Sequence, residues 1–240
     1  MEINNLTFAF EKKKNLFQDL SLDIQNGQTT VFLGPSGCGK STLLRIFAGL
    51  QRLKSNQCLY QHERASFVFQ DSNLLDWLTS IENIMLPSKL SQQAYNPQVL
   101  SRTIEFLKIS ACLRQFPHEL SGGQKMRVSI ARALVSEPKI LFMDEPFSSL
   151  DEPSRFQLQD ELKSIQKILG MTILFVTHSY FEAVYLGERI IMFSDEKPTA
   201  IIHDEQIENL FDSRFDPRYL EKVKKLSNFL GGGKSLNEVL

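Results

Sequence analysis

The 240-residue sequence predicts an α/β fold in three parts: a core built on a parallel sheet, a small antiparallel β-subdomain at its N-terminal side, and a helical lobe inserted into the core. Three observations predict it. First, "TTVFL" (29–33), "KILFM" (139–143) and "TILFV" (172–176) are apolar on both alternating faces, as strands covered on both sides must be. Second, the short β-like stretches "EINNLTFAF" and "DLSLDIQ" are separated by the charged "EKKKN" turn and closed by Asn26-Gly27, a strong turn signal. Third, between residues 72 and 135 the β pattern fades, and "PQVLSRTIEFLKIS" and "GQKMRVSIARALVS" carry helical spacing.

In chain order, the core spans about 1–71 and 136–210, with the helical lobe at about 72–135. Within the lobe, Met126, Ile130, Ala133 and Leu134 share one helical face and predict a buried stripe. Beyond the core, residues 211–240 read as a C-terminal helical extension, because Phe211, Phe215, Tyr219 and Val223 recur every four residues and predict a docked face.

Composition excludes several classes. With 42% hydrophobic residues the chain can bury a sizeable core. Lys plus Arg number 27 against 28 Asp plus Glu, a formal charge of −1, so no global field draws it to nucleic acid or anionic lipid, and no nucleic-acid partner is expected. The first residues lack the apolar stretch of a secretory signal, so none is expected. No apolar run approaches the roughly 18–20 residues of a membrane-spanning helix, so a membrane role must come through partners. Cys38, Cys58 and Cys112 are scattered and lack paired metal-ligand spacing, which fits reduced thiols in a cytosol.

Each of the three apolar strands ends abruptly in polar residues: Gly34 to Thr42, Asp144-Glu145, and Thr177-His178. Open α/β sheets bind ligands at the carboxyl ends of their strands, so three such endings converge on one kind of site. "GPSGCGKST", comprising Gly34, Pro35, Ser36, Gly37, Cys38, Gly39, Lys40, Ser41 and Thr42, follows a strand and opens the helix "STLLRIFAGL". In that context it is a phosphate-binding loop. The glycines let successive N–H groups turn toward phosphate oxygens, Lys40 reaches the β- and γ-phosphates, and the Ser41 hydroxyl is offered to Mg²⁺. In "ILFMDEP", Asp144 is the candidate Mg²⁺ ligand, and Glu145 the base that orients and deprotonates attacking water. His178 is placed where an imidazole N–H can reach a γ-phosphate. "GGGKS" (231–235) is a decoy, since Asn228 occupies the first glycine's position and no strand precedes it.

"LSGGQKMRVSIARAL" (120–134) offers a second glycine-opened helix without a preceding strand; Ser121 and Gln124 also have the spacing of a capping box, which leaves the paired glycines unexplained. With "LSGGQ", "MDEP", "SSLD" and "TH" in this order, the sequence resembles the ATP-binding cassette family of ATPases over about residues 1–210. The resemblance implies a P-loop NTPase (RecA-like) core and a head-to-tail dimer closing on two ATP molecules. In it, Ser121, Gly122, Gly123 and Gln124 would bind the γ-phosphate held by the second copy. It further implies that Gln70 senses Mg²⁺ and water, that "SSLD" (148–151) contacts the opposite site, and that Phe10 stacks on adenine, with Phe8 as the alternative. The β-subdomain is abbreviated, with 16 residues between Leu50 and Phe67.

"QDSNLLDWLTSIENIMLP" holds Leu74, Leu75, Trp77 and Leu78 where importer ATPases of this family receive a membrane subunit, so residues 71–86 are the expected contact with transmembrane permease subunits. Ile81, Ile84 and Leu86 read as lobe core. The stretch is similar to the "LLPW" segment of nitrate, sulfonate, taurine and bicarbonate type importer ATPases, with Asp76 in place of Pro. This reading implies a peripheral protein at the cytoplasmic face of the cell membrane, reached indirectly by a solute-binding protein. The alternatives are a soluble cassette ATPase of DNA repair or translation, whose coiled-coil insertion or second cassette is missing here, and an ATP-gated binding module, which Glu145 and His178 argue against.

Overall fold

The computed structural model describes residues 1–10, 14–51, 53, 64–91, 95–207, 211 and 213–230. Cys58, the 231–235 decoy and most of the abbreviated stretch after Leu50 lie outside the described residues. The chain is α/β, with a mixed, mostly parallel sheet, and divides into two compact units: Met1–Gln61 with Leu174–Leu240, and His62–Ile173.

In the first unit, β1 (Glu2–Phe8) and β2 (Phe17–Asp23) pair antiparallel, with Leu6 opposite Leu20 and Phe8 opposite Phe17. Ile3, Leu6 and Phe8 are the buried positions of β1, a spacing of three and then two. The register shifts between them, and Asn5 takes a left-handed φ of 50° there. The extra residue of a β-bulge explains how "INNL" keeps both apolar residues on one face.

The sheet of this unit contains β3 (Thr29–Leu33), β6 (Thr172–Thr177), β7 (Arg189–Phe193) and β8 (Ile201–Gln206), in the order β6-β3-β7-β8. β3 and β7 run parallel, and β8 returns antiparallel at the edge. Every residue of β3, β6 and β7 is buried, which is why their sequences lack alternation, whereas β8 alternates half-buried and exposed positions. Arg189 is tolerated inside β7 because Asp204 accepts from its Nε at 2.8 Å and its Nη2 at 2.7 Å. Helices α1 (Lys40–Phe47), α6 (Tyr180–Leu186) and α7 (Pro217–Leu230) complete the unit.

The helix expected beyond residue 211 begins at Pro217, and the four-residue stripe holds only in part. Tyr219 and Val223 are buried, and Tyr219 donates to the Phe181 carbonyl of α6 at 3.0 Å, with burial pushing its phenol well above the usual range. Phe211 is buried ahead of the helix, but Phe215 lies outside it and is 92% exposed.

In the second unit, β4 (Ala65–Val68) pairs parallel with β5 (Ile140–Asp144). Helices α2 (Ser80–Ser91), α3 (Pro97–Phe106), α4 (Gly122–Leu134) and α5 (Glu152–Leu169) build the rest, and α4 packs against α2, α3, α5 and β4. The predicted α4 stripe of Met126, Ile130, Ala133 and Leu134 is buried. Arg127, Val128, Ser129 and Ala131 are buried as well, so the helix is covered on more than one face. Arg127 enters this interior because its guanidinium meets the Glu161 carboxylate of α5 and donates to the Leu107 carbonyl at 3.0 Å. Lys108 reaches the same carboxylate at 3.3 Å. A lone buried charge there would cost several kcal/mol, about 3–5 when one partner of such a pair is removed.

Candidate active site

In the first unit, the loop from Gly34 to Gly39 leads from β3 into α1. Gly37 and Gly39 have left-handed φ values of 82° and 108°. At Gly39 an added Cβ would stand 2.9 Å from the Phe17 ring, so conformation and space both require glycine. The loop is pinned from outside as well: Thr199, from the segment between β7 and β8, donates its hydroxyl to the Cys38 carbonyl at 2.6 Å. No sequence signal marks Thr199, which lies 161 residues from its partner.

Lys40 is the first residue of α1 and only 4% exposed. Its ammonium donates to the carbonyls of Gly34 at 2.7 Å and Pro35 at 2.8 Å, which folds the side chain back over the loop. The first turn of α1 contains no acidic residue, so the positive helix end and the lysine act together on any anion there. Ser36 and Gly37 are exposed, and Gly39, Ser41 and Thr42 half-buried, so the loop is open to a ligand on that side. Cys38 is buried against Lys40, 3.9 Å from its ammonium; burial raises the thiol pKa, and the lysine partly opposes this.

His178 is exposed directly after β6, framed by buried groups. Thr177 donates its hydroxyl to Glu182 at 2.6 Å and accepts the Ser179 N–H at 3.0 Å, while Ser179 caps α6 by accepting the Glu182 N–H at 3.3 Å. Of the two aromatic candidates, Phe8 is strand core at 8% exposure, and Phe10 is 47% exposed, its ring edge-on to Phe8 at 5.1 Å between centroids. Of the two, Phe10 is the exposed ring.

In the second unit, β5 extends one residue beyond the predicted run, so buried Asp144 is its last residue and Glu145 the first of the turn. Glu145 has a φ of 45°, a left-handed conformation that costs a non-glycine residue free energy and that clusters at functional sites. The turn is closed by Ser148, which donates to the Glu145 carbonyl from its hydroxyl at 3.0 Å and its N–H at 3.3 Å. Exposed Gln70, just beyond β4, donates its amide to the Ser148 hydroxyl at 3.4 Å. The "SSLD" loop then enters α5 under a cap: Asp151 accepts the Ser154 N–H at 3.2 Å, and hydrogen bonding from the Ser154 side chain first, with this N–H beside it, holds its carboxyl below the usual range. Arg155 donates to the Leu150 carbonyl at 2.8 Å.

The other glycine-opened helix, α4, has the expected capping box: Ser121 accepts the Gln124 N–H at 3.3 Å, and Gln124 accepts the Ser121 N–H at 2.9 Å. Gly122 and Gly123 take no left-handed φ. A Cβ at Gly122 would meet only the Ser149 carbonyl at 3.9 Å, and one at Gly123 only Ser154 at 3.4 Å, both ordinary contacts.

Of the leucines expected to be open, Leu74, Leu75 and Leu78 are half-buried, and Trp77 alone stands in solvent at 73% exposure. Ile84 is fully buried; Ile81 and Leu86 are half-buried. Among the described residues no group of three or more His, Cys, Asp or Glu side chains could hold a metal, and no helix is long and apolar enough to cross a membrane. The candidate Mg²⁺ donors are the hydroxyl of Ser41 in the first unit and, in the second, the amide oxygen of Gln70 and the carboxylate of Asp144. Each is a hard oxygen donor of the kind Mg²⁺ takes alongside phosphates and water.

The ABC transporter family model matches residues 17–148. The aliphatic sulfonates import ATP-binding protein of Bacillus licheniformis is 41% identical over 196 residues, covering 79% of this chain and 76% of that protein. The spermidine/putrescine import ATP-binding protein of Vibrio cholerae is 35% identical over 234 residues, covering 90% of this chain; the chain spans 61% of that relative's length. Among solved structures, the dimeric post-hydrolysis state of the ATP-binding cassette MJ0796, bound to ADP and Pi, superimposes with a TM-score of 0.72 at 29% identity. The match covers 87% of this chain and 99% of that one.

Proposed function

Because the chain belongs to the ABC transporter family, we propose that it is the ATP-binding and ATP-hydrolysing subunit of an importer, acting as a peripheral protein at the cytoplasmic face of the cell membrane. In this reading the loop N–H groups and Lys40 take the phosphates of ATP, and Phe10 stacks on adenine. Ser41, Asp144 and Gln70 hold Mg²⁺, which when bound neutralises phosphate charge and orients the β- and γ-phosphates. Water attacks the γ-phosphorus as the bond to the β-bridging oxygen breaks. Glu145 accepts the water's proton, the electron pair of the broken bond leaves with ADP, and His178 donates to a γ-phosphate oxygen.

One observation carries the dimeric form of this mechanism: among the described residues nothing requires glycine at 122 or 123. A residue without a Cβ lets another group approach the backbone closely, and that is the use we assign to glycine at this unconstrained helix tip. A capped N-terminus with two glycines and no acidic residue in its first turn suits an anion, and the anion we assign is the γ-phosphate on the second copy's loop. ATP is then buried between two copies, and its charge is fully neutralised only when both surfaces close.

Residues 71–86, with Trp77 as the exposed anchor, take the transmembrane permease subunits, and a solute-binding protein delivers cargo to those subunits. We assign the cargo to small solutes of the nitrate, sulfonate and taurine class. The leucine and tryptophan segment and the likeness to the sulfonate importer subunit support that class. Glu145→Gln tests the enzymatic reading: the amide cannot accept a proton, so steady-state phosphate release falls by at least about 10²-fold while ATP binding persists. Retained turnover contradicts the assignment.

A further inference from the structure

Helix α4 holds a second segment at the end away from its glycines. Arg132, in its last turn, donates from Nη1 to the Asn73 carbonyl and from Nη2 to the Ser72 carbonyl, each at 2.8 Å. Those carbonyls follow Gln70 and Asp71 directly, and Asn73 takes a left-handed φ of 47° where it meets the guanidinium. Arg132 forms no ion pair with a carboxylate among the described residues, and burial lowers its pKa. A half-buried cation whose acceptors among the described residues are backbone carbonyls holds this loop, and its planar fork gives two bonds of defined direction that a lysine cannot reproduce.

The same segment is fastened further along. Buried Asn83 of α2 places its amide nitrogen 3.1 Å from the Leu75 carbonyl, 3.0 Å from that of Leu78 and 3.1 Å from that of Thr79, and it accepts the Leu75 N–H at 2.8 Å. α2 in turn packs on α4. Residues 72–79, including exposed Trp77, are therefore built onto the helix whose other end is the Ser121–Gly123 tip, about 15 Å away at the helical rise.

We propose that Arg132 is a positioning residue that makes the segment 72–79 move with the glycine tip of α4, so that engagement of the tip reaches the surface around Trp77. This rests on the reading above, that the tip meets nucleotide on a second copy. A cation at a helix C-terminus commonly interacts with that helix's own last carbonyls. Here both donors point instead to the segment after Gln70.

The test uses the full chain carrying Glu145→Gln, with and without MgATP. Light scattering reports association, and hydrogen exchange reports residues 121–124 and 72–79 separately. With Arg132 intact, MgATP slows exchange in both segments, by about tenfold at 72–79. With Arg132→Lys, which keeps the charge, and Arg132→Met, which removes it, association and protection of 121–124 persist while the response at 72–79 shrinks to the part that the Asn83 bonds carry. A response at 72–79 that is undiminished in either folded variant overturns the proposal, as does its absence with Arg132 intact in a sample that associates. Failure to associate with Arg132 intact contradicts the underlying dimer reading instead, and the scattering arm separates the two.

Discussion

Ser148 donates its hydroxyl to the carbonyl of Glu145 at 3.0 Å, holding the residue assigned as base in a left-handed turn. The same hydroxyl accepts from Gln70 at 3.4 Å, so one small side chain joins two of the three residues assigned to catalysis. Ser148→Ala removes both bonds and leaves the phosphate loop untouched. A typical hydrogen bond contributes about 1 kcal/mol, so kcat for ATP falls by about three- to tenfold with little change in nucleotide affinity. Steady-state phosphate release alongside equilibrium binding checks this, and an equal change in both would count against it.

The buried thiol of Cys38 gives a chemical readout of the phosphate loop. Thiolate is the reactive form, and the raised pKa of Cys38 keeps its fraction low at neutral pH. Alkylation is therefore slower than for a free cysteine near pH 7.5, rises as pH climbs above the ordinary thiol range, and inhibits ATP hydrolysis. MgATP, seated on the same loop, protects. Mass spectrometry of the Cys38 peptide measures the rate, and equal labelling with and without MgATP would refute the assignment.

Gly122→Ala separates the external role of the α4 tip from its internal packing. The new Cβ meets only the Ser149 carbonyl at 3.9 Å, and alanine favours helix by up to about 1 kcal/mol, so the thermal midpoint stays level or rises slightly. Nucleotide-dependent association of the Glu145→Gln chain weakens, because a methyl group occupies the space a phosphate would approach. A variant that associates as well as its parent would remove the reason given for the glycines.

The parts of the fold legible in sequence were those with strong local chemistry. "TTVFL" and "TILFV" read as covered strands because both faces are apolar, and "GPSGCGKST" declared itself through glycines that the left-handed turns at Gly37 and Gly39 require. β7 and β8 carry weaker local signals: "RIIMF" ends in no ligand chemistry, and "IIHDEQ" is a polar edge strand specified by its antiparallel partner. The cap formed by Ser121 and Gln124 was legible from its three-residue spacing. The supports were not, because Thr199 to Cys38, Arg132 to Ser72 and Arg155 to Leu150 are bonds from side chain to backbone carbonyl, which leave no pattern in residue type. The leucines near Trp77 misled for a related reason, since hydrophobicity alone does not distinguish a side chain half covered by its own lobe from one held open for a partner.

The most direct measurement is the solution mass of the Glu145→Gln chain by light scattering, titrated with MgATP and then with the same concentrations of MgADP. The account predicts that ATP doubles the mass from that of the 27.5 kDa chain and that ADP, lacking the γ-phosphate, does not. A single-chain mass at saturating MgATP would contradict the claim that the glycine tip of α4 completes a second copy's site.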